Sequence, residues 1–477
     1  MKSFKFAASL AMTLTLSFGS SFAQNGKALT LQKCIEIALK NNSDFKNAAY
    51  QVDRSGADVM ASYSTILPRI GSNFQMNRST DGASTNLRNI AQVTPVTLVD
   101  VNNQPVTISV PLIDLQTGQQ VVQRVESTSP TQTFNNHAFS INYNQTLWDF
   151  GRSIQTIKQA KAGFEAFSQN LSSARQAVYA TVNQRYLELL KAVKLEQEFQ
   201  EAVERSKEQL RRTQSMYEIG SVALIDVYRQ EVILGTDEVS LINQRNAVLI
   251  AEGNLNVVLG RDPEEPIDIA EVGISAEPPT FTLQDAIATA EQNNPDLKRF
   301  EYAMKSAEHG RKSAKARFLP AIGVSAQYSR DNEQFSRVYG NFGENYFVGV
   351  GASLDFNIFN GFSDHAEVSR QTANYSIAQE SHLNRQRTLR LQVKQAYLNL
   401  KAYQEITVIN ERNLRSAEED NRLAQERYRV GAGTQLEVTD AQVSLTRARV
   451  NLVNVRYDAL IAQAQLQAAM GTIEEVK

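Results

Sequence analysis

The 477-residue chain is poor in the residues that usually carry chemistry: one cysteine, one tryptophan and four histidines. A single cysteine makes no intrachain disulfide. Cys34 follows Leu31-Gln32-Lys33, too far beyond the N-terminal apolar run for a lipid-anchored cysteine, and reads as a helix-face residue without a role. His137, His309, His365 and His382 are scattered and lack metal-ligand spacing. Gly431-x-Gly433 and Gly349-x-Gly351 are two-glycine fragments; the first reads as a helix turn and the second as part of a strand. No nucleophile elbow or phosphate loop is present, so neither catalysis nor a cofactor is expected. The formal charge of −2 gives no basic field for nucleic acid. Beyond the N-terminus no run reaches about 18 apolar residues, which excludes a transmembrane helix. If the chain crosses a membrane, it does so with β-strands.

Lys2 and Lys5 form a positive start, residues 6–18 are mostly apolar, and Ser21-Phe22-Ala23 is a small-x-small cleavage site. Residues 1–23 therefore read as a secretory leader. Its two lysines leave with it, taking the net charge from −2 to −4.

The rest is written twice. Leu31-Gln32, Ile35, Asn41-Asn42, Asp44, Lys46, Tyr50, Leu67-Pro68 and Gly71 recur 252 positions later, as Leu283-Gln284 through Gly323. A second block recurs after 211 positions: Leu147-Trp148-Asp149 as Ile358-Phe359-Asn360, Tyr186-Leu187 as Tyr397-Leu398, Tyr217 and Gly220 as Tyr428 and Gly431, Leu255 and Gly260 as Leu466 and Gly471. The offsets differ because the first half carries a longer insert, at 79–136. One duplicated unit thus fills the chain: a first repeat at 24–260, a linker at 261–280 and a second repeat at 281–477. Each unit reads helix, strand, strand, long helix, tight turn, helix.

The long helices are expected at 152–217 and 363–428, without proline, each roughly 100 Å long. Shorter helices follow at 224–259 and 435–470. Val438, Leu445, Leu452, Ala459 and Leu466 are spaced by seven, as are Ala441, Ala448, Val455, Ala462 and Ala469. Val227, Leu234, Leu241, Val248 and Leu255 form the matching row in the first half. A strict seven-residue repeat implies left-handed supercoiling, and small alanines permit close packing. Gly220, Gly431 and Gly433 sit in the turns, where glycine supplies left-handed caps.

The expected hairpins, 68–147 and 320–359, alternate with period two. Ile70, Phe74 and Met76 lie on one side, with Gly71, Asn73 and Gln75 on the other; Val348, Val350, Leu354, Phe356 and Ile358 alternate with Gly349, Gly351 and Asp355. One face is apolar, the other small and polar, over lengths that cross a bilayer when tilted. Trp148, Phe150, Phe359 and Phe362 cluster where strands meet helices, as an interfacial aromatic girdle would. A soluble sandwich shows the same alternation, but two hairpins cannot cover themselves, and no other sheet is visible to pack against. Nor do four strands close a barrel, and an open edge in lipid leaves backbone groups unpaired. Since the smallest membrane barrels have about eight strands, two, three or four copies must share one wall.

The paired asparagines, the Leu-Pro helix-to-strand junctions, the strand exits Leu147-Trp148-Asp149 and Ile358-Phe359-Asn360-Gly361, and the tips Tyr217-x-x-Gly220 to Asp226-Val227 and Tyr428-x-x-Gly431 to Glu437-Val438 together resemble the TolC family of outer-membrane efflux proteins. The likeness covers about 30–260 and 281–471. It implies an α+β membrane protein whose four strands contribute to a trimeric, 12-stranded outer-membrane barrel continuing into a long periplasmic α-helical barrel. It also implies partners: a homotrimer, outer-membrane lipid, a periplasmic adaptor docking at the tips, and an inner-membrane transporter of RND or ABC type. By the same resemblance Glu437, Asp440 and Asp226 match the acidic residues of a periplasmic gate. Acids at a helix start also suit the dipole and the cap; the resemblance favours the gate. In the family an arginine two residues after the second tip glycine latches the closed state. Gly433 stands there, leaving Tyr428, Arg427 and Arg429 as candidates for the latch. The insert at 79–136, rich in Thr, Val and Gln, is longer than the family pattern and is expected outside the cell, as a functional or disordered loop. A periplasmic adaptor scaffold is the alternative; it calls for one helical hairpin between split β-domains, whereas two hairpins stand here in tandem. A soluble coiled-coil protein is a further alternative, and an enzyme a distant one.

Overall fold

The computed structural model describes residues 28–271, 273, 280–340 and 342–473. The expected leader, 1–23, lies outside the described residues, as does most of 272–279. The chain divides into a helical unit, comprising residues up to Val59, Lys158–Gly310 and Arg370–Lys477, and a sheet unit, Met60–Ile157 with Arg311–Ser369.

In chain order the elements are α1 (Leu31–Asn41), α2 (Ser43–Ser62), β1 (Arg69–Asp81), β2 (Ser84–Ala91), β3 (Val93–Val99), β4 (Pro105–Pro111), β5 (Val122–Ser129), β6 (Gln132–Trp148), α3 (Arg152–Glu218), α4 (Leu224–Leu259), α5 (Leu283–Asn293), α6 (Pro295–Lys315), β7 (Ala321–Asn332), α7 (Phe335–Tyr339), β8 (Phe347–Asp355), α8 (Ser363–Arg429) and α9 (Gln435–Met470). Each half thus opens with two helices where the sequence suggested one. The break is made by the second asparagine of each pair. Asn42 Oδ1 accepts from the amides of Asp44 (2.9 Å) and Phe45 (3.1 Å), which starts a new helix. Asn294 does the same for Asp296 and Leu297, with Pro295 at the first helical position.

These asparagines also explain the paired glycines. Asn42 Nδ2 donates to the Val258 carbonyl at 3.4 Å, and Asn294 Nδ2 to the Ala469 carbonyl at 3.1 Å. Gly260 and Gly471 then end α4 and α9 in the left-handed region, at φ +69° and +77°. A Cβ on Gly260 would lie 2.8 Å from Asn41 Cβ, and one on Gly471 3.0 Å from the Asn293 carbonyl carbon. Asparagine pair and glycine are the two sides of one clasp, built once in each half.

The helical unit buries its heptad rows. Val438, Ala441, Leu445, Ala448, Leu452, Val455, Ala459, Ala462 and Leu466 are all buried on α9, and α4 buries Val227, Leu241, Val248 and Leu255. At about 1.5–3 kcal/mol per buried large apolar side chain, these rows outweigh the surface ion pairs along the same helices. Cys34 is fully buried with Ala38, Val182, Tyr186 and Leu255, so it is a core residue and not merely one on a helix face. Burial pushes its thiol up to about 11, partly countered by Arg261. Tyr186 reaches across this core. Its hydroxyl donates to the Ala270 carbonyl at 2.6 Å and lies 3.0 Å from that of Leu29, pinning the parallel Leu29–Ile269 bridge. Burial pushes the Tyr186 phenol up to about 12.

In the sheet unit, β1, β6, β7 and β8 form one antiparallel sheet in that order. Its register lines up Ile70, Tyr143, Ala326 and Val350 across all four strands on one face, and Gly71, Asn142, Gln327 and Gly349 on the other. The β6–β7 register shifts between Thr146 and Trp148, setting Trp148 beside Ile322 on the apolar face. β8 ends at Asp355, so Phe356 and Ile358, read as strand from their alternation, lie beyond it.

The insert, which the sequence leaves open as a functional or disordered loop, is ordered as strands, and it corrects the reading that no other sheet is present: β2 pairs with β5 and β3 with β4. These nested pairs prolong the β1–β6 hairpin as a two-stranded ribbon, closed at its tip by Asp100, whose carboxylate accepts from the amides of Asn102 and Gln104 at 2.8 Å. The shorter connection in the second half does something different. Phe335 and Tyr339 of α7, tilted against each other, pack edge-on against Phe74, Phe139 and His137. They cover Arg330, which is fully buried although it stands on the apolar face opposite Phe139. Its guanidinium donates to the Arg337 carbonyl at 2.7 Å and lies 5.0 Å from the Phe342 ring centre.

Candidate functional site

The two tips are built alike. At the first, the Gly220 amide donates to the Tyr217 carbonyl (2.9 Å) and the Ser221 amide to that of Met216 (2.8 Å); at the second, Gly431 donates to Tyr428 (3.0 Å) and Ala432 to Arg427 (2.8 Å). Both glycines stand at φ +75° with open space where a Cβ would point. These paired bonds satisfy the last carbonyls of α3 and α8, as a left-handed helix cap does. Gly433 differs: a Cβ there would lie 3.1 Å from Arg427 Cβ and 3.1 Å from Glu437 Oε2, so its role is close approach.

The acidic residues fall on the first turns of α4 and α9. Asp226 pairs with Arg229 at 3.0 Å. The Glu437 amide donates to the capping hydroxyl of Thr434 at 3.3 Å, and its carboxylate stands 3.7 Å from Arg427. Asp440, one turn on, is exposed. The structure brings Glu437 together with Arg427 and with Gly433, the position where the resemblance calls for arginine. Tyr428 links the tips. Its hydroxyl lies 3.1 Å from Met216 Sδ, and it packs on Ala424, Val438 and Ala441. Burial, then the charge of Asp226, pushes its phenol above the usual range.

A polar row along α4, bonded to α9 at one position and to α3 at two, was missed in the sequence. Gln230 Nε2 donates to Thr439 Oγ1 at 2.7 Å, Ser206 Oγ donates to Asp237, and Gln244 Nε2 donates to the Ala192 carbonyl at 2.9 Å. The signal lay in the repeat itself. At the 211-residue offset these positions match Ala441, Ala448 and Val455, so the first half places three polar residues where the second places small apolar ones. Beside them Gln435 is buried, with neither amide atom hydrogen-bonded.

The proposed girdle residues lie together in pairs. The Trp148 and Phe150 rings are 6.1 Å apart, and those of Phe359 and Phe362 are 5.4 Å apart, both edge-on. Trp148 is 52 % and Phe359 71 % exposed. Phe150 and Phe362 hold positive φ beside Gly151 and Gly361, an uncommon state for aromatic residues that turns each chain from strand to helix. Among the described residues no helix is long and apolar enough to cross a membrane, and no cluster of His, Cys, Asp or Glu has metal-site geometry.

The profile of the outer membrane efflux protein family matches residues 34–261 and 286–472, most of both halves. The chain belongs to that family. Among its relatives, this outer membrane efflux protein is 23 % identical to the outer membrane protein TolC of Escherichia coli over 347 residues, spanning 70 % of this chain and 69 % of TolC. It is 23 % identical to the probable efflux pump outer membrane protein TtgC of Pseudomonas putida over 446 residues, spanning 92 % and 82 % of the two chains. The alkaline protease secretion protein AprF of Pseudomonas aeruginosa is 25 % identical over 358 residues, with coverages of 72 % and 71 %. In fold it is similar to the CusC transmembrane channel, with a TM-score of 0.75 at 17 % identity over 94 % of this chain and 95 % of that one. The MtrE outer membrane channel of Neisseria gonorrhoeae gives 0.73 at 18 % identity, over 93 % and 89 %. The efflux protein is therefore an outer-membrane channel subunit with a mostly helical, TolC-like fold.

Proposed function

We propose that three copies of this chain share one 12-stranded barrel in the outer membrane, and that their long helices form the wall of a periplasmic tube through which cargo leaves passively. The observation that carries this reading is the β1-β6-β7-β8 sheet, with two open edge strands and an exposed apolar face bearing Ile70, Val350 and Leu354. Edge strands in lipid leave each unpaired backbone group at a cost of several kcal/mol, and pairing β1 of one copy with β8 of the next removes both edges. A periplasmic adaptor docks at the tip turns around Gly220, Gly431 and Gly433, and links the duct to an inner-membrane transporter of RND or ABC type; the duct itself performs no catalysis. The relatives TtgC and AprF, named for efflux and for secretion, support either cargo class.

The tips form the gate. Three copies of Glu437 and Asp440, with Asp226 nearby in sequence register, line its mouth with carboxylates, which attract cations. Tyr428 and the Arg427–Glu437 contact replace the missing arginine as the latch. Single-channel recording in planar bilayers tests the gate. The Glu437→Gln/Asp440→Asn variant is expected to lose cation preference and to open more readily; conductance and selectivity equal to the parent protein's refute it.

A further inference from the structure

On the polar face of the sheet, where β1, β6 and β7 meet the ends of α3 and α6, lies a recess of about 520 Å³ lined by Arg69, Arg152 and Arg317. The rest of its wall is hydroxyls, amides and small side chains, among them Thr65, Ser153, Ser313 and Ser325, and no carboxylate. Two acids stand near its arginines, each bound more closely by another group. Asp149 accepts from the Ser153 amide (2.8 Å) and hydroxyl (2.5 Å), and lies 3.7 Å from Arg152. Asp364 accepts from Asn360 Nδ2 at 2.7 Å, 3.7 Å from Arg317. Asp364, with Asp355, lines an adjoining recess that shares Arg152 and Arg317, so these two guanidiniums are only partly neutralised. Arg69 has no ion-pair partner among the described residues.

The duplication makes this cluster more specific. At the repeat offsets Arg69 matches Ala321, Arg152 matches Ser363 and Arg317 matches Thr65. Each half supplies a basic residue where the other has a neutral one, and the three converge in a single recess. Thr65, Ser153 and Ser313 already donate to Ser62, Asp149 and Arg152, so the three guanidiniums carry the recognition: they are matched to a tetrahedral oxyanion, which guanidinium binds through paired, charge-assisted hydrogen bonds.

We infer that this recess is an oxyanion-binding site in the lumen wall, one per chain, that holds phosphate-bearing solutes in transit. Its placement in the lumen rests on the duct reading, in which the polar face of the sheet looks inward; the site itself does not. A trimer then presents nine guanidiniums in one ring, a positive collar opposite in sign to the carboxylates of the tips.

The test is calorimetric titration of inorganic pyrophosphate into the full-length protein in detergent at low ionic strength. One site per chain is expected, with affinity reduced at least tenfold in Arg69→Gln/Arg317→Gln and largely restored in Arg69→Lys/Arg317→Lys. Arg69→Gln alone changes an exposed strand residue and is expected to fold normally with a severalfold loss. Absence of binding to the parent protein, or equal binding by parent and glutamine variants, overturns the inference. Bilayer recording of the same preparations separates the two readings. Pyrophosphate block of the parent channel, relieved in the double variant, supports both; binding without any channel conductance sinks the duct and leaves the site standing.

Discussion

Replacing Gly471 by alanine isolates the clasp that the duplication repeats. The substitution carries two costs. The residue stands at φ +77°, where a Cβ costs about 1–2 kcal/mol. The new methyl would also lie 3.0 Å from the Asn293 carbonyl carbon and 3.1 Å from both its oxygen and Asn294 Cα. These are backbone atoms at the junction of α5 and α6, so relief requires moving a helix end, about 1–3 kcal/mol in the manner of an overpacked core. Gly431→Ala is the control. Its φ is nearly the same, +75°, but nothing lies within 4 Å of the added methyl, so only the conformational cost of about 1–2 kcal/mol applies. Denaturant unfolding in detergent, followed by far-UV circular dichroism, is expected to show Gly471→Ala the less stable by about 1–3 kcal/mol. Gly260→Ala, with a 2.8 Å approach to Asn41, should lose at least as much. Equal losses at Gly471 and Gly431 would refute the idea that close approach, rather than backbone conformation, selects glycine at the clasp.

Further outcomes follow from the same contacts. Tyr186→Phe removes the hydrogen bond to the Ala270 carbonyl and should destabilise the helical unit by about 1–3 kcal/mol, seen as a lower denaturation midpoint. Gln435→Met fills the same buried space without an unpartnered amide, and should raise that midpoint. Cys34, its thiol raised from 9.0 to about 11, should resist iodoacetamide at pH 8 until the protein is unfolded. The sign for stability follows: the buried neutral thiol favours the folded state below pH 9, and this contribution is lost as pH rises from 9 toward 11. Rapid labelling of the native protein would contradict the burial.

What the sequence made legible was governed by period. Val438 to Leu466 spaced by seven, and Ile70 to Met76 alternating by two, are direct imprints of one-sided burial, and the structure packs the first set and lines the second along one sheet face. The break at Asn42 and Asn294 was hidden because side-chain capping leaves the hydrophobic period on either side intact. Strands β2 to β5 were hidden because the insert has no counterpart in the second half, and β3 and β4 carry Pro95, Pro105 and Pro111, tolerated in a two-stranded ribbon where one strand edge needs no donor. The burial of Arg330 on the apolar face left no trace in the pattern, because its cover by α7 is a tertiary contact with no local signature. At the tips the glycines were legible from turn chemistry. The polar row of Gln230, Asp237 and Gln244 was not, because the two halves were compared for likeness and not for difference.

The central claim is that three chains close one wall. Native mass spectrometry of detergent-extracted outer membranes reads location and copy number together. The account predicts a complex of three chains recovered from the outer-membrane fraction; a folded single chain in the soluble periplasm, or a closed complex of two or four, contradicts it.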